Sequence, residues 1–190
     1  EATNGNGLEP ADYLGNRPNK TGIYALEKAD IFNILCIPPD TRNGDVPDGV
    51  LTDALAYCVE RRAMLIVDPP TAWTDFQKAA DEFRANGVHG LAGTDTRNAA
   101  VYFPRVLETD SQRNGALEAF PACGLVAGAY ARTDVQRGVW KAPAGIEVSL
   151  NGARGLGMDS TKPMNLTDEE NGVLNPLGIN CLRRFPVIGP

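Results

Sequence analysis

Three short, largely apolar runs separated by stretches of helical periodicity constrain the fold of this chain most strongly. The runs cover residues 31–37, 63–67 and 99–103. Strands that are apolar on both faces are typical of a parallel sheet with helices packed on both sides. The sequence therefore predicts an α/β fold with three layers, αβα, in which a mostly parallel central sheet lies between two layers of helices.

The stretches between and after these runs space their apolar residues as amphipathic helices do. Thr167 and Glu170 also form a capping box, which predicts the start of a short helix. Two later stretches are predicted as strands, a weak one over 146–150 and a second over 178–185. In chain order, the predicted helices cover residues 21–29, 50–62, 73–85, 121–132 and 167–175.

The stretch 120–145 is the one around which the rest of the predicted fold is arranged. Residues 121–132 place small and apolar side chains on every side of a helical projection, so we expect a central helix that is covered on all sides. Thr133-Asp134 is expected to end this helix, before a turn at Gly138. The proline-containing segment that follows is expected to run along the surface and to expose Trp140.

The same stretch resembles a known family. The runs AGAYARTD, residues 127–134, and RGVWKAPAG, residues 137–145, resemble the signature of the contractile-tail sheath proteins of phages and related injection machines. The later segment 174–186 resembles the part that follows this signature in the same family. The resemblance is specific over residues 120–186, and the order of the predicted elements extends it to about residue 21.

This resemblance implies a structural subunit rather than an enzyme. Six subunits would form a ring, the rings would stack around a tail tube, and a trigger from the baseplate would make the lattice contract and drive the tube through a target envelope. The implied partners are other copies of the chain, the tail tube protein, the baseplate and the tail terminator. The implied location is the virion tail, with assembly in the host cytoplasm. The candidate assembly and signature residues are Arg132, Asp134, Arg137, Trp140, Lys141, Asn180, Arg183 and Arg184.

The resemblance also divides the chain into parts. Residues 1–20 are rich in Gly, Asn and Pro, and we expect a linker or loop left from a removed upstream region. Residues 21–186 would form the sheath core domain, and 187–190 would begin a missing C-terminal region. Because the chain begins at Glu1 without Met, we expect a fragment of a longer protein, and we expect that fragment to be monomeric.

Charge and composition argue against several partners and cofactors. The chain has 18 Lys and Arg against 24 Asp and Glu, a net charge of −6, which does not favour nucleic acid or an anionic membrane as the main partner. No apolar run approaches the roughly 20 residues that a membrane anchor needs. The four cysteines lie far apart in apolar runs, so we expect buried, reduced thiols and no disulfide framework or zinc site.

A serine triad must be considered, because sheath cores are often called subtilisin-like. His89 is the only histidine and follows a predicted helix, while Ser111, Ser149 and Ser160 all lie outside a nucleophile elbow. The run 15–21 imitates a phosphate loop but lacks its glycines and a preceding strand. The sequence therefore predicts no catalytic residue, no cofactor and no metal.

Two other function classes remain open at this point. Asp40 and Asp68 each follow a predicted strand, and ligands of parallel sheets bind beyond the carboxyl ends of the strands. Such carboxylates could serve an α/β hydrolase or a nucleotide- or metal-binding enzyme, although aspartate is also common in turns. The other class is a binding module that docks on a protein through Trp140 and its basic neighbours.

Overall fold

The structure is a computed structural model and describes residues 5–185. The strands are, in chain order, β1 (Ile34–Cys36), β2 (Met64–Val67), β3 (Ala99–Phe103), β4 (Val106–Asp110), β5 (Ala116–Phe120), β6 (Gly155–Leu156) and β7 (Asn180–Cys181). The α-helices are α1 (Pro10–Leu14), α2 (Val50–Arg61), α3 (Phe76–Asn86), α4 (Cys123–Arg137) and α5 (Asp168–Leu174). Short 3-10 helices cover Gly22–Lys28, Thr94–Asn98, Ser111–Arg113 and Asn175–Leu177.

The predicted apolar runs form the central sheet. Its strand order is β1-β2-β3-β7, and all its pairs are parallel, with Leu35 opposite Leu65 and Val67 opposite Val101. The two crossovers between β1, β2 and β3 contain α2 and α3, as the alternation of strands and helices predicts. The prediction of a mostly parallel sheet is confirmed.

Helices cover both faces of this sheet. Leu65 and Val67 of β2 share one apolar cluster with buried residues of α2 and α3, such as Ala54 and Ala79. Ile66, which lies between them in the strand, belongs to a second cluster with Val126 of α4. Successive residues of β2 therefore face opposite helical layers, and the three-layer α/β fold is confirmed.

The structure contains a second sheet that the sequence did not predict. Two of its strands, β4 and β5, lie between β3 and α4, where the central helix was expected to follow β3 directly. Strands β4 and β5 form an antiparallel hairpin, and β6 pairs antiparallel with the other side of β4. Asn114 and Gly115 both have positive φ at the hairpin turn, which is a conformation that Asn and Gly adopt readily. Strand β6 lies in the Gly-rich stretch 151–158, where the sequence predicts no strand.

Helix α4 differs from its prediction in length and in burial. Thr133-Asp134 does not end it, because the Thr133 hydroxyl donates to the Ala129 carbonyl at 2.8 Å and stays within the helix. The helix ends at Arg137, and Gly138 follows with φ 92°. The expectation of a helix covered on all sides was wrong: as the outer layer on one face of the sheet it buries one side, whereas Gly124 and Gly128 are exposed.

Several element bounds also differ from the predictions. Within 31–37 only Ile34–Cys36 is a strand, and within 178–185 only Asn180–Cys181. Residues 146–150 form a turn and an irregular segment instead of a strand. Helix α3 begins at Phe76 because Asp75 caps it, its side chain accepting the Lys78 N–H at 2.8 Å. Trp73, expected inside this helix, lies before it and is buried.

The chain ends contain one unexpected helix and one confirmed cap. The leading segment includes α1, which begins with Pro10 and an Asp12 carboxylate that accepts the Glu9 N–H at 2.8 Å. The Thr167–Glu170 capping box is confirmed by two reciprocal hydrogen bonds. The predicted start of a further region at 187–190 lies outside the described residues. None of the helices formed by residues 5–185 has the length and apolar character that crossing a bilayer requires.

The central sheet generates the first testable prediction. Leu65 is 0% exposed in β2, so Leu65→Ala should lower the free energy of unfolding by about 3 kcal/mol, through lost apolar burial and a cavity. Leu117→Ala is the matched control, since Leu117 is 38% exposed in β5 and should cost less than about 1 kcal/mol. Urea denaturation measures both, and equal losses would contradict the assignment of the core.

Candidate functional site

A cleft at one edge of the central sheet brings together the two parts of the sequence that carry the sheath resemblance. It has a volume of about 420 Å³ and lies beside β7, the last strand of the sheet. One wall is α4, a second is the segment between Pro143 and Leu150, and a third is formed by α5 and the chain around β7. We call this site the edge cleft.

The polar groups of the edge cleft include hydroxyls, amides and a guanidinium. The Tyr102 and Tyr130 hydroxyls hydrogen-bond each other at 2.8 Å, and burial raises the pKa of Tyr102, so this phenol stays neutral. Asn180 donates its side-chain N–H to the Val101 carbonyl at 3.0 Å. Arg183 also lines the cleft. Groups of this kind bind by hydrogen bonding, as a peptide or another polar chain would require.

Two signature arginines hold the second wall of the cleft against α4. Arg132 donates to the Ser149 carbonyl, and Arg137 forms an ion pair with Glu147 at 3.1 Å. The Arg137 pair is exposed and contributes at most about 1 kcal/mol. Both arginines therefore make contacts within the chain, between α4 and the second wall of the cleft. Their part in assembly stays a prediction.

An exposed apolar ridge begins in the last turn of α4 and continues into the cleft wall. We define the apolar ridge as Val135, Val139, Trp140 and Ile146, all of which are exposed. Trp140 is 78% exposed, which confirms the expected exposed tryptophan. Its indole lies over Gly138, where an added Cβ would come within 2.6 Å of Nε1. A side chain at position 138 would thus displace the indole.

The other signature residues lie around the ridge and the cleft. Lys141 Nζ donates to the Ala142 carbonyl at 3.1 Å, and Asp134 is half-buried in the last turn of α4. Arg183 is held by the Leu166 carbonyl at 3.1 Å and by Asp168 at 2.8 Å. Arg184 is exposed. Asn180 and Arg183 are thus brought into the same cleft as the signature segment, which sequence reasoning did not anticipate.

Asp40 and Asp68 have different partners. The Asp40 carboxylate accepts the Leu8 N–H at 3.1 Å, in an exposed loop. Asp68 Oδ1 accepts the Cys123 N–H at the start of α4, at 2.9 Å. Burial raises the pKa of Asp68, and its Oδ2 is buried without a hydrogen-bond partner among residues 5–185. The two carboxylates therefore serve local backbone groups, as turn and cap residues do.

Sequence reasoning missed Arg105, which lies immediately before β4 and is 2% exposed. Its guanidinium donates to the Arg42 carbonyl at 2.9 Å, to the Gly44 carbonyl at 2.8 Å and to Asp45 at 3.1 Å. Burial lowers the pKa of Arg105. The sequence signal is weak, since one arginine beside an apolar pair does not reveal which loop it will bind.

The residues of a serine triad are not assembled in the described part of the chain. His89 Nε2 lies 3.1 Å from the Asp68 carbonyl oxygen, in the loop after α3, as predicted. Ser149 donates to Asn151, Ser111 begins a 3-10 helix, and Ser160 lines a separate pocket of about 240 Å³ beside Arg105. Across residues 5–185 no hydrogen bond joins a serine to His89.

The four cysteines are free thiols, two of them buried and two half-buried. Among residues 5–185 no three His, Cys, Asp or Glu side chains cluster in a way that could hold a metal ion. In comparisons with known proteins, the chain matches no family model and no curated protein. A function for the chain therefore depends on the geometry above and on the residues that carry the resemblance.

The Arg105 cluster leads to a stability prediction. Arg105→Met leaves the half-buried carbonyl groups of Arg42 and Gly44 without this donor and should lower the free energy of unfolding by about 3 kcal/mol. The control is Arg113→Met, which breaks an exposed pair with Glu118 and should cost no more than about 1 kcal/mol. Urea denaturation at neutral pH distinguishes them, and a control as damaging as Arg105→Met would contradict the role of the cluster.

Asp68 leads to a prediction about pH. Its pKa is raised above the ordinary 3.8, so the folded state binds this proton more tightly than the unfolded state does. The resulting stabilisation is present below pH 3.8 and is lost as pH rises through the folded-state pKa. The free energy of unfolding of wild type minus that of Asp68→Asn should therefore fall as the pH rises from 3 to about 7.

Glu108 provides a control of opposite sign for this experiment. Hydrogen bonds from Thr109 lower the pKa of Glu108, so its contribution is present at neutral pH and is lost in acid. The difference between wild type and Glu108→Gln should therefore rise with pH. Urea titrations at several pH values measure both differences, and a flat Asp68→Asn difference would show that burial does not perturb this carboxyl.

Proposed function

We propose that this chain is the core of a structural subunit of a contractile tail sheath. In the proposed assembly, six subunits form each ring, and the rings stack around a tail tube between the baseplate and the tail terminator. Contraction of this lattice would drive the tube through a target envelope. The observation that carries the proposal is the apolar ridge, which is formed by the same stretch that carries the resemblance.

Exposure of the ridge supports a role in protein contacts. Four large apolar side chains lie exposed within 12 residues, Val135 to Ile146, and one of them is a tryptophan. Large exposed apolar side chains that are concentrated in one short segment of a folded domain typically mark an interaction site. Tryptophan is also among the residues that contribute most to protein interfaces. A neighbouring subunit that covers the ridge would remove this surface from water.

The position of the ridge beside the edge cleft adds a second argument. Ile146 belongs to the ridge and also lines the cleft. One partner segment could therefore contact the ridge and enter the cleft, where amides and hydroxyls offer hydrogen bonds. The net charge of −6 fits a protein partner better than it fits nucleic acid. Other copies of the chain and the tail tube protein are the partners that the resemblance implies.

The alternative of an enzyme that uses the Asp40 and Asp68 edge has weaker support. Each of these carboxylates binds a backbone N–H of its own surroundings, Leu8 in one case and Cys123 in the other. The other carboxylate oxygen of Asp68, Oδ2, is buried. A shared open pocket between them is what the alternative would need, and the contacts seen here favour structural roles.

The proposal predicts that the full-length protein carrying this sequence assembles. Negative-stain microscopy should show rings or hollow cylinders at micromolar concentration, with a matching fast-sedimenting species. Trp140→Ala should weaken each contact by about 2 kcal/mol, which is roughly 30-fold in affinity, and should shift the protein to dispersed particles. Leu117→Ala, which removes a partly exposed leucine from β5, should assemble as the wild type does.

Thermal unfolding of both variants is needed to show that they are folded before their assembly is compared. If the wild-type protein stays dispersed at micromolar concentration, both in the microscope and in sedimentation, the proposed function is contradicted. If Trp140→Ala forms cylinders as well as the wild type does, a sheath role remains supported. The apolar ridge would then not contribute to the contacts between subunits.

A further inference from the structure

Two cysteines meet where β1 ends beneath the first turn of α4. The Cys36 thiol donates to the backbone carbonyl of Cys123 at 3.4 Å, which places the Cys36 sulfur beside Cys123. The two residues are 87 positions apart in the sequence, so only the fold brings them together. This contact plays no part in the proposed assembly surface.

A carboxylate lies beside the pair. Asp68 Oδ1 accepts the Cys123 backbone N–H at 2.9 Å, so this carboxylate lies next to Cys123. Asp68 Oδ2 is buried and has no hydrogen-bond partner among residues 5–185. The site thus has a carboxylate next to Cys123, in addition to two cysteines in contact with each other.

The two thiols are not equivalent. Cys36 is half-exposed, and hydrogen bonding with Cys123 lowers its pKa. Cys123 is buried, and hydrogen bonding with Cys36, together with burial, raises its pKa. Since the thiolate is the reactive form of cysteine, Cys36 is the sulfur that an oxidant meets first.

We propose that Cys36 and Cys123 form a dithiol that hydrogen peroxide oxidises to a disulfide within the folded protein. The Cys36 thiolate attacks one peroxide oxygen, the O–O bond breaks, and the hydroxide that leaves takes a proton to become water. Cys36 is then a sulfenic acid. The Cys123 sulfur attacks the Cys36 sulfur, an S–S bond forms and the S–O bond breaks.

The protons and electrons of this two-step oxidation balance. Cys123 gives its thiol proton to Asp68, which passes it to the hydroxide that leaves Cys36, so a second water forms. In total the two thiols lose two electrons and two protons, and one peroxide is reduced to two waters. The product ties β1 to the start of α4 and closes a long loop, which restricts the unfolded chain and should stabilise the fold.

The other cysteines provide internal controls. Burial raises the pKa of Cys58 and of Cys181 to about 11, so little thiolate is present at neutral pH. Both should react with peroxide much more slowly than Cys36 does. A single wild-type sample therefore contains both the reactive pair and two comparison thiols.

The test treats folded wild-type protein with hydrogen peroxide, alkylates the remaining thiols with N-ethylmaleimide in denaturant, and maps non-reduced peptides by mass spectrometry. The expected result is a peptide cross-linked through Cys36 and Cys123, with alkylated Cys58 and Cys181 and a thermal midpoint several degrees higher. Cys36→Ser should remove the cross-link, and Cys58→Ser should leave it unchanged. In Cys123→Ser, dimedone should trap a sulfenic acid on Cys36.

Asp68→Asn tests the proton acceptor separately. If Cys123 attacks more slowly in this variant, the dimedone-trapped fraction of Cys36 should rise several-fold. An unchanged fraction would show that Asp68 does not accept the proton in this reaction. The proposal as a whole is overturned by wild-type mapping alone if Cys36 reacts no faster than Cys58 and Cys181. A cross-link to another cysteine, or a Cys36 that stops at the sulfenic acid, would overturn it as well.

Discussion

A single buried cation ties together the loops at the carboxyl ends of the central strands. Arg105 donates to the backbone after β1 and to Asp45, and Asp45 in turn accepts the Thr71 N–H after β2 at 2.9 Å. The start of the hairpin sheet and two strand-end loops are thereby fixed to one another. Because a buried guanidinium requires all of these acceptors, the loops cannot shift independently without leaving a charge unsolvated. These contacts hold the loops at the carboxyl ends of β1 and β2 together.

The sequence contains enough information for the central sheet but too little for the hairpin. The three apolar runs predict β1, β2 and β3 because a strand buried on both faces leaves a continuous signal. Strand β4 begins with two apolar residues and then alternates with Glu108 and Asp110, and β6 is two residues within a Gly-rich segment. Such short, mixed strands are stabilised by pairing partners that lie far away in the sequence, and a local pattern does not reveal them.

The site shows the same division between local and tertiary information. The exposure of Trp140 is predictable, because the proline and glycine residues around it exclude an interior strand. The edge cleft is not predictable, since it arises where two segments with separate local signals meet. The burial of α4 was mispredicted for a related reason: a helical projection shows that small residues surround the helix, but it does not show how many layers will cover them. The exposed glycines of α4 follow from its place in an outer layer.

The pairing of β7 with β3 has a consequence for how the chain folds. The Asn180 side chain donates a hydrogen bond to Val101, which lies 79 residues earlier in the chain. Strand β7 can therefore join the sheet only after the residues of the hairpin sheet and of α4 have been synthesised. Closing so long a loop is entropically costly and slows folding. Until residue 180 leaves the ribosome, the edge of β3 lacks a partner strand, and an open strand edge is prone to pair with other chains. Synthesis of this domain therefore includes a period in which premature association competes with completion of the sheet.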